Sequence, residues 1–251
     1  MNSLKRLQKN NILLGSLIIL IVWYVFHYTV DSRVIPSPTL TIITFIQLLG
    51  GNLLLDVGMS LYRIMISLIL AILIGLPAGL FIGMNKVADR ILSPVVYILY
   101  PIPKIAFLPV FMMLLGLGDA PKLVLIITII IFPILLAVRD GVKEIPEDLF
   151  HSVRTLGLNS KMIFTNLIIP AILSKMISSL RVSIGISLSA LFFCENFATT
   201  YGLGYFIMNA WSKVNYTEMF AGILALSLLG FIIFNGIDLI EKKLCPWMFL
   251  N

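Results

Sequence analysis

Long stretches free of Asp, Glu, Lys and Arg dominate the chain: Asn10–Val30, Ile64–Asn85, Leu123–Val138, Val182–Cys194 and Met219–Ile237. Their apolar residues come in continuous blocks instead of alternating at every second position, which favours helices over the strands of a barrel. Most of them approach or exceed the roughly 20 residues that an α-helix needs to cross a hydrocarbon core of about 30 Å. With their flanks, the pattern predicts six spans, at 12–30, 58–84, 91–117, 121–138, 177–197 and 218–238.

Two segments deviate from that pattern. Val34–Leu55 carries no charge but holds Pro36, Pro38, polar residues between Thr39 and Gln47, and Gly50-Gly51-Asn52. It is expected to be an external or interfacial helix that starts after the Pro-Ser-Pro turn, within a segment 31–57. The third span, YPIPKIAFLPVFMMLLGLG, is interrupted by Pro101, Pro103 and Pro109, which free backbone carbonyls that other groups must satisfy. It reads either as a kinked packing helix or as a helix lining a path. Lys104 within it is expected to be buried against protein or water, or to snorkel to a boundary. Phe107, Phe111, Met112 and Met113 fit packing within the span, or a narrow apolar constriction.

Composition agrees with a bilayer setting. The 251 residues are 59% hydrophobic and 12% charged, with a mean hydropathy of +1.04. Placing the N terminus inside puts 13 of the 18 basic residues on the cytoplasmic side: Lys5, Arg6, Lys9, Lys86, Arg90, Arg139, Lys143, Arg154, Lys161, Lys175, Arg181, Lys242 and Lys243. That asymmetry selects an N-in, C-in topology and accounts for the net charge of +6 without nucleic acid. A further span in Val34–Leu55 would invert every later loop. Lys5, Arg6 and Lys9 before an apolar run suggest a secretory signal, but the run is long and no small-residue cleavage site follows. Cys194 and Cys245 have neither CxxC spacing nor a His cluster, so no metal or disulfide is expected. His27 and His151 read as structural.

The polar exception is Arg139–Arg181, with 10 of the 30 charged residues, in a segment 139–176 expected to be a cytoplasmic loop. Pro146 suits a first helical position, and Glu147 and Asp148 place negative charge at the positive end of a helix. Leu149, Val153 and Leu156 form an i, i+4, i+7 stripe, and Gly157 supplies a stop. Ser160 is expected to cap a second helix ending near Pro170. The product is a short amphipathic helix that either rests on headgroups or docks into another protein.

These residues resemble the permease subunit of type I ATP-binding-cassette importers, whose cytoplasmic loop carries Glu-Ala-Ala, three residues, Gly, nine residues, then Ile-x-Leu-Pro. Here the glycine is Gly157, the nine residues are Leu158 to Asn166, and the end is Leu167-Ile168-Ile169-Pro170. The departure is His151-Ser152-Val153 at the Glu-Ala-Ala positions. Ile35-Pro36-Ser37-Pro38, PIPKIAFLPVFMMLLGLGDAPK at 101–122, and Glu195 followed by Tyr201-Gly202-Leu203-Gly204 narrow the similarity to the nitrate, sulfonate and taurine branch, over residues 35–245.

The resemblance implies an all-α, MetI-like membrane permease, a single domain over 1–251, in a bacterial cytoplasmic (inner) membrane. It implies ATPase subunits as partners, a second permease copy that completes a homodimeric pore, and an external solute-binding protein. The chain lacks a Gly-x-x-x-x-Gly-Lys-Ser/Thr sequence, so no cofactor is expected in it, and ATP and Mg belong to the partner ATPase. Leu149, Val153, Arg154, Thr155, Leu156 and Gly157 are the expected ATPase-coupling surface. Lys104, Met112 and Glu195 are candidates for the path or gate; Glu195 could equally be solvated or cap the turn after it. The solute expected is a small anion such as a sulfonate, taurine or nitrate, or a vitamin precursor. Cations near the path, Lys104 and Arg63, would suit an anion, whereas Glu195 points the other way. A stand-alone secondary transporter should show a second copy of the interrupted segment, and an enzyme should show paired carboxylates or a nucleophile elbow; neither pattern occurs.

Overall fold

The computed structural model describes the backbone of residues 2–30, 34–51 and 53–249, and side chains from 14 onward to 248 within those ranges. Lys5, Arg6 and Lys9, which entered the charge argument, have side chains outside the described residues. All regular structure in the described residues is helical: α1 (Asn2–Val30), α2 (Pro38–Leu49), α3 (Leu53–Met84), α4 (Lys86–Leu99), α5 (Leu108–Leu115), α6 (Ala120–Lys143), α7 (Glu147–Thr155), α8 (Ser160–Ile163), α9 (Ile169–Cys194), α10 (Leu203–Ser212) and α11 (Tyr216–Leu244).

Among the described residues four helical stretches are long and apolar enough to cross a membrane: Leu53–Met84, Ala120–Lys143, Ser160–Cys194 and Tyr216–Leu244. Within the described side chains of α1 the apolar stretch is Leu14–Val30, and α2 is shorter still. At about 1.5 Å per residue, α2 cannot span a bilayer. Ser37 caps it by accepting from the Leu40 amide (3.3 Å), as the Pro-Ser-Pro turn implies. His27 Nδ1 bonds the Ile35 carbonyl (2.7 Å), tying the end of α1 to that turn.

The core seam is α3 against α6. Gly75, Gly79 and Gly83 lie one turn apart on α3, and α6 presses into the space their missing side chains leave. A Cβ on Gly79 would sit 2.7 Å from the Leu135 carbonyl and 2.8 Å from Val138 Cβ; one on Gly75 or Gly83 would meet Ile134 or Val142. Contacts advance in the same sense along both helices, since Ser67 bonds the Leu123 carbonyl (3.3 Å) while Gly83 meets Val142. α3 and α6 therefore run parallel. The chain between them must return along their length, and α4 with α5 provides that return.

The return is not the single kinked helix at 91–117. It breaks after Leu99, and its two halves are bent by 82°. Pro101 and Pro103 lack amide donors and cannot continue the ladder, so the last carbonyls of α4 need another partner. α9 then runs antiparallel to α6, with Ile172 against Gly141, and α11 packs antiparallel to α9, with Leu188 against Gly230.

The fifth span also departs from expectation. Asn159, not Ser160, caps the helix by accepting from the Met162 amide (2.9 Å), and Pro170 does not end it. A π turn at Phe164–Ile168 spans the residue four before Pro170, relieving the clash of the ring with the Asn166 carbonyl, and the helix continues to Cys194. Of the segment 139–176, only 144–146 and 156–159 lie outside helices.

Ion pairs gather where α6 meets α7. Asp89 on α4 accepts from Arg139 (2.6 Å) and Lys143 (2.7 Å) on α6; Lys175 pairs with Glu144; and Arg181 on α9 reaches Asp238 (2.8 Å) and Glu241 (2.7 Å) on α11.

The glycine seam sets a clear expectation. Gly79→Leu should overpack α3 against α6 at a cost of about 1–3 kcal/mol or more and sharply reduce monodisperse protein in detergent chromatography. Gly236→Ala, which meets open space, should leave the yield unchanged.

Candidate functional site

Two polar features stand out, at opposite ends of α6 and α9. At the first, α7 is an exposed helix on a fixed base. Glu147 and Asp148 occupy its first turn, next to unpaired amides. Its other end closes in a Schellman turn: Gly157 N donates to the Arg154 carbonyl (2.9 Å) and Leu158 N to the Val153 carbonyl (3.2 Å). Gly157 sits at φ +79°, a conformation that strains any residue with a Cβ. Phe150 packs on the core and Ile145 is buried, which fixes the helix to the body.

The expected stripe then faces outward. Leu149 is 45% and Leu156 77% exposed, Val153 is half-buried, and no residue of α7 is buried. Arg154 is exposed and forms no ion pair among the described residues. Thr155 Oγ1 bonds the His151 carbonyl (2.6 Å), so it serves the helix itself. At the positions of the family's Glu-Ala-Ala, Ser152 Oγ bonds the Asp148 carbonyl (2.8 Å), and the helix forms without the missing Glu.

The second feature lies at the far end, where α3, the start of α6, the end of α9 and the start of α10 meet. Glu195, at the C-cap of α9, is fully buried rather than solvated, and Arg63 is 2% exposed. Arg63 donates from Nη1 to Glu195 Oε1 (2.6 Å) and the Tyr201 carbonyl (2.8 Å), from Nε to Asp119 (2.8 Å) and from Nη2 to Thr199 (3.1 Å). Glu195 also accepts from Ser60 Oγ (2.8 Å) and the Gly204 amide (2.8 Å). Asp56 accepts from Gly202 N (2.8 Å), and Ser60 Oγ from Leu203 N (2.8 Å). Lys122 is buried and donates to the Gly118 (2.6 Å) and Ala198 (3.2 Å) carbonyls.

Glu195 thus holds the turn after it, one of the roles its position allowed. Arg63 is taken up by protein partners and offers no free charge to an anion. The signal for this cluster was in the sequence: Asp56, Ser60, Arg63 and Ser67 recur at i, i+4, i+7 and i+11, a polar stripe on one face of an apolar helix. All four are buried.

The remaining candidates stay apart from both features. Lys104 follows the proline break, and its ammonium donates to the carbonyls of Leu99 (2.8 Å) and Tyr100, 4.7 Å from the centre of the Phe132 ring. It caps the end of α4 that the prolines leave open. Met112 packs on the core, whereas Met113 is 86% exposed, so the two methionines do not share a packing role.

Parallel crossings joined through glycines, a sealed polar cluster at one end and an exposed helix at the other define a polytopic α-helical membrane protein. The chain belongs to the binding-protein-dependent transport system inner membrane components, whose family profile matches residues 71–245. It is similar to the taurine transport system permease protein TauC of Escherichia coli (strain K12), 26% identical over 93% of this chain and 88% of TauC. It is also similar to the putative aliphatic sulfonates transport permease protein SsuC of Bacillus subtilis (strain 168), 29% identical over 92% of this chain and 84% of SsuC. The nitrate import permease protein NrtB of Synechocystis sp. (strain ATCC 27184 / PCC 6803 / Kazusa) is 25% identical, over 91% and 86%. The fold matches a chain of the inward-facing MetNI methionine ABC transporter in its CY5 native crystal form, with a TM-score of 0.63 and 21% identity over 77% of this chain and 96% of that one. This chain is a membrane-spanning subunit of an ABC importer, located in the inner membrane.

Lys104→Met should strip the broken end of α4 of its charged donor, costing about 1.5–3 kcal/mol and lowering the melting temperature of the purified protein by several degrees. An unchanged melting curve would mean that the Leu99 and Tyr100 carbonyls find other partners.

Proposed function

We propose that α7 is the coupling helix through which a partner ATPase drives this permease. The observation that carries this reading is the pair of exposed leucines, Leu149 and Leu156, beside an Arg154 with no ion pair among the described residues, on a helix whose base is fixed by Phe150 and the Gly157 turn. Apolar side chains on a polar, exposed loop suit a groove on another protein, with the guanidinium available to an acidic neighbour. The ATPase supplies ATP and Mg chemistry, for which this chain has no phosphate-binding loop.

In this reading α7 faces the cytoplasm, with both termini on that side. Support comes from the basic residues that cluster at the α7 end, including Lys86, Arg90, Arg139, Lys143, Lys161, Lys175, Lys242 and Lys243. Two copies form the pore. Closure of the ATPases on ATP draws their α7 helices together and turns the crossings as rigid bodies, opening the pore to an external binding protein that delivers solute. The solute is a small compound bearing an anionic group of the kind that the names of TauC, SsuC and NrtB specify, or a vitamin precursor, in keeping with the formylaminopyrimidine transport permease protein ThiX of Halalkalibacterium halodurans, 27% identical over 92% of this chain.

Leu156→Glu and Arg154→Glu should each cost about 2 kcal/mol of docking, roughly 30-fold in affinity, seen as loss of the ATPase from affinity-purified permease and loss of uptake. Retention of both by the two variants would refute the assignment.

A further inference from the structure

We propose that the Arg63 and Glu195 cluster is a permanent joint, which makes the ends of α3, α6, α9 and α10 one rigid body that stays closed through the whole transport cycle. This rests on the ATP-driven cycle described above and places the moving surfaces outside the cluster. A gate at this position would have to separate and rejoin these groups on every turnover.

The geometry opposes such opening. Arg63 makes four hydrogen bonds, to groups from the start of α6, the end of α9 and the loop before α10. Glu195 accepts from three groups on two stretches of chain, α3 (Ser60 and Arg63) and α10 (Gly204). The three consecutive amides of Gly202, Leu203 and Gly204 are each bound by a side chain from outside α10, namely Asp56, Ser60 and Glu195. Pulling α10 away from α3 and the end of α9 would break all three at once and leave the carboxylate of Asp56 without its amide partner at a buried position.

Close packing reinforces the bonds. Gly202 adopts φ +138°, and a Cβ there would lie 2.5 Å from Glu195 Cδ and 2.6 Å from Arg63 Nη1. The backbone is pressed directly onto the ion pair, leaving no room for a solute or a lipid chain between them. The loop also depends on Lys122, whose ammonium holds the Ala198 carbonyl, where the backbone itself is at φ +47°.

Amide hydrogen exchange tests the joint without altering it. The assembled transporter, with its ATPase in lipid nanodiscs, is compared nucleotide-free and trapped with ATP and vanadate. The amides of Gly202, Leu203 and Gly204, followed in the peptide covering 198–206, should exchange slowly in both states, with rates agreeing within about twofold. Exchange about tenfold faster in either state would show the cluster opening and overturn the proposal. Because the comparison is made within an assembled complex, it bears on the joint and not on whether α7 docks.

A variant adds a functional readout. Arg63→Met in proteoliposomes should keep ATP hydrolysis while solute moved per ATP falls about tenfold or more, with faster exchange at 198–206. Coupling equal to that of the unsubstituted protein would overturn the proposal. If the variant does not assemble, the exchange comparison on the unsubstituted complex decides.

Discussion

A guanidinium sealed inside an apolar protein keeps its charge only while every side of it is answered, and the architecture here is arranged around that demand at Arg63. Its partners come from the start of α6, the end of α9 and the loop before α10, up to 138 residues away in sequence. Removing one member of such a buried pair typically costs about 3–5 kcal/mol, because the other charge is left behind. The position of α10, the turn before it and the register of α3 against the start of α6 all follow from satisfying this group. The glycines at 75, 79 and 83 continue the same alignment along α3, so the polar anchor and the close helix seam act on one pair of helices.

The body that results has unlike ends. One is closed, with donors and acceptors spent on each other and the backbone of Gly202 resting on the ion pair. The other is open, with leucines and an arginine left outward on α7. Between them run the 24 residues of α6, about 36 Å of helix at 1.5 Å per residue, and α9 beside it. A push on α7 therefore acts on a long packed lever whose far end is tied. That arrangement suits the membrane subunit of an importer that takes its energy from another protein.

Much of this was legible in the residues because it depends on local rules. Continuous apolar blocks marked the helices, Pro-Ser-Pro marked the start of α2, and the Pro146-to-Gly157 punctuation marked α7 with the correct stop. That Leu149 and Leu156 share a stripe was readable because a helix of known phase fixes which side chains lie on one face. Other features depend on groups far apart in sequence. Glu195 was noticed, but its partner Arg63 lies 132 residues earlier, and nothing local joins them. Lys104 drew attention as a charge inside a span, yet its role follows from carbonyls that became free only once Pro101 and Pro103 broke the helix by 82°. Pro170 suggested a terminus because proline usually ends a helix; the π turn that lets the chain pass it is a backbone adjustment that composition does not announce.

The central claim is that the exposed stripe of α7 is where the driving ATPase sits, and a photoreactive residue tests it most directly. Placed at position 156 of the otherwise intact chain and activated in native membranes, it should form an adduct of permease and ATPase, while the same probe at Met113, exposed on the separate helix α5, should not. Adducts to lipid alone at 156, with the ATPase present in the membrane, would contradict the account.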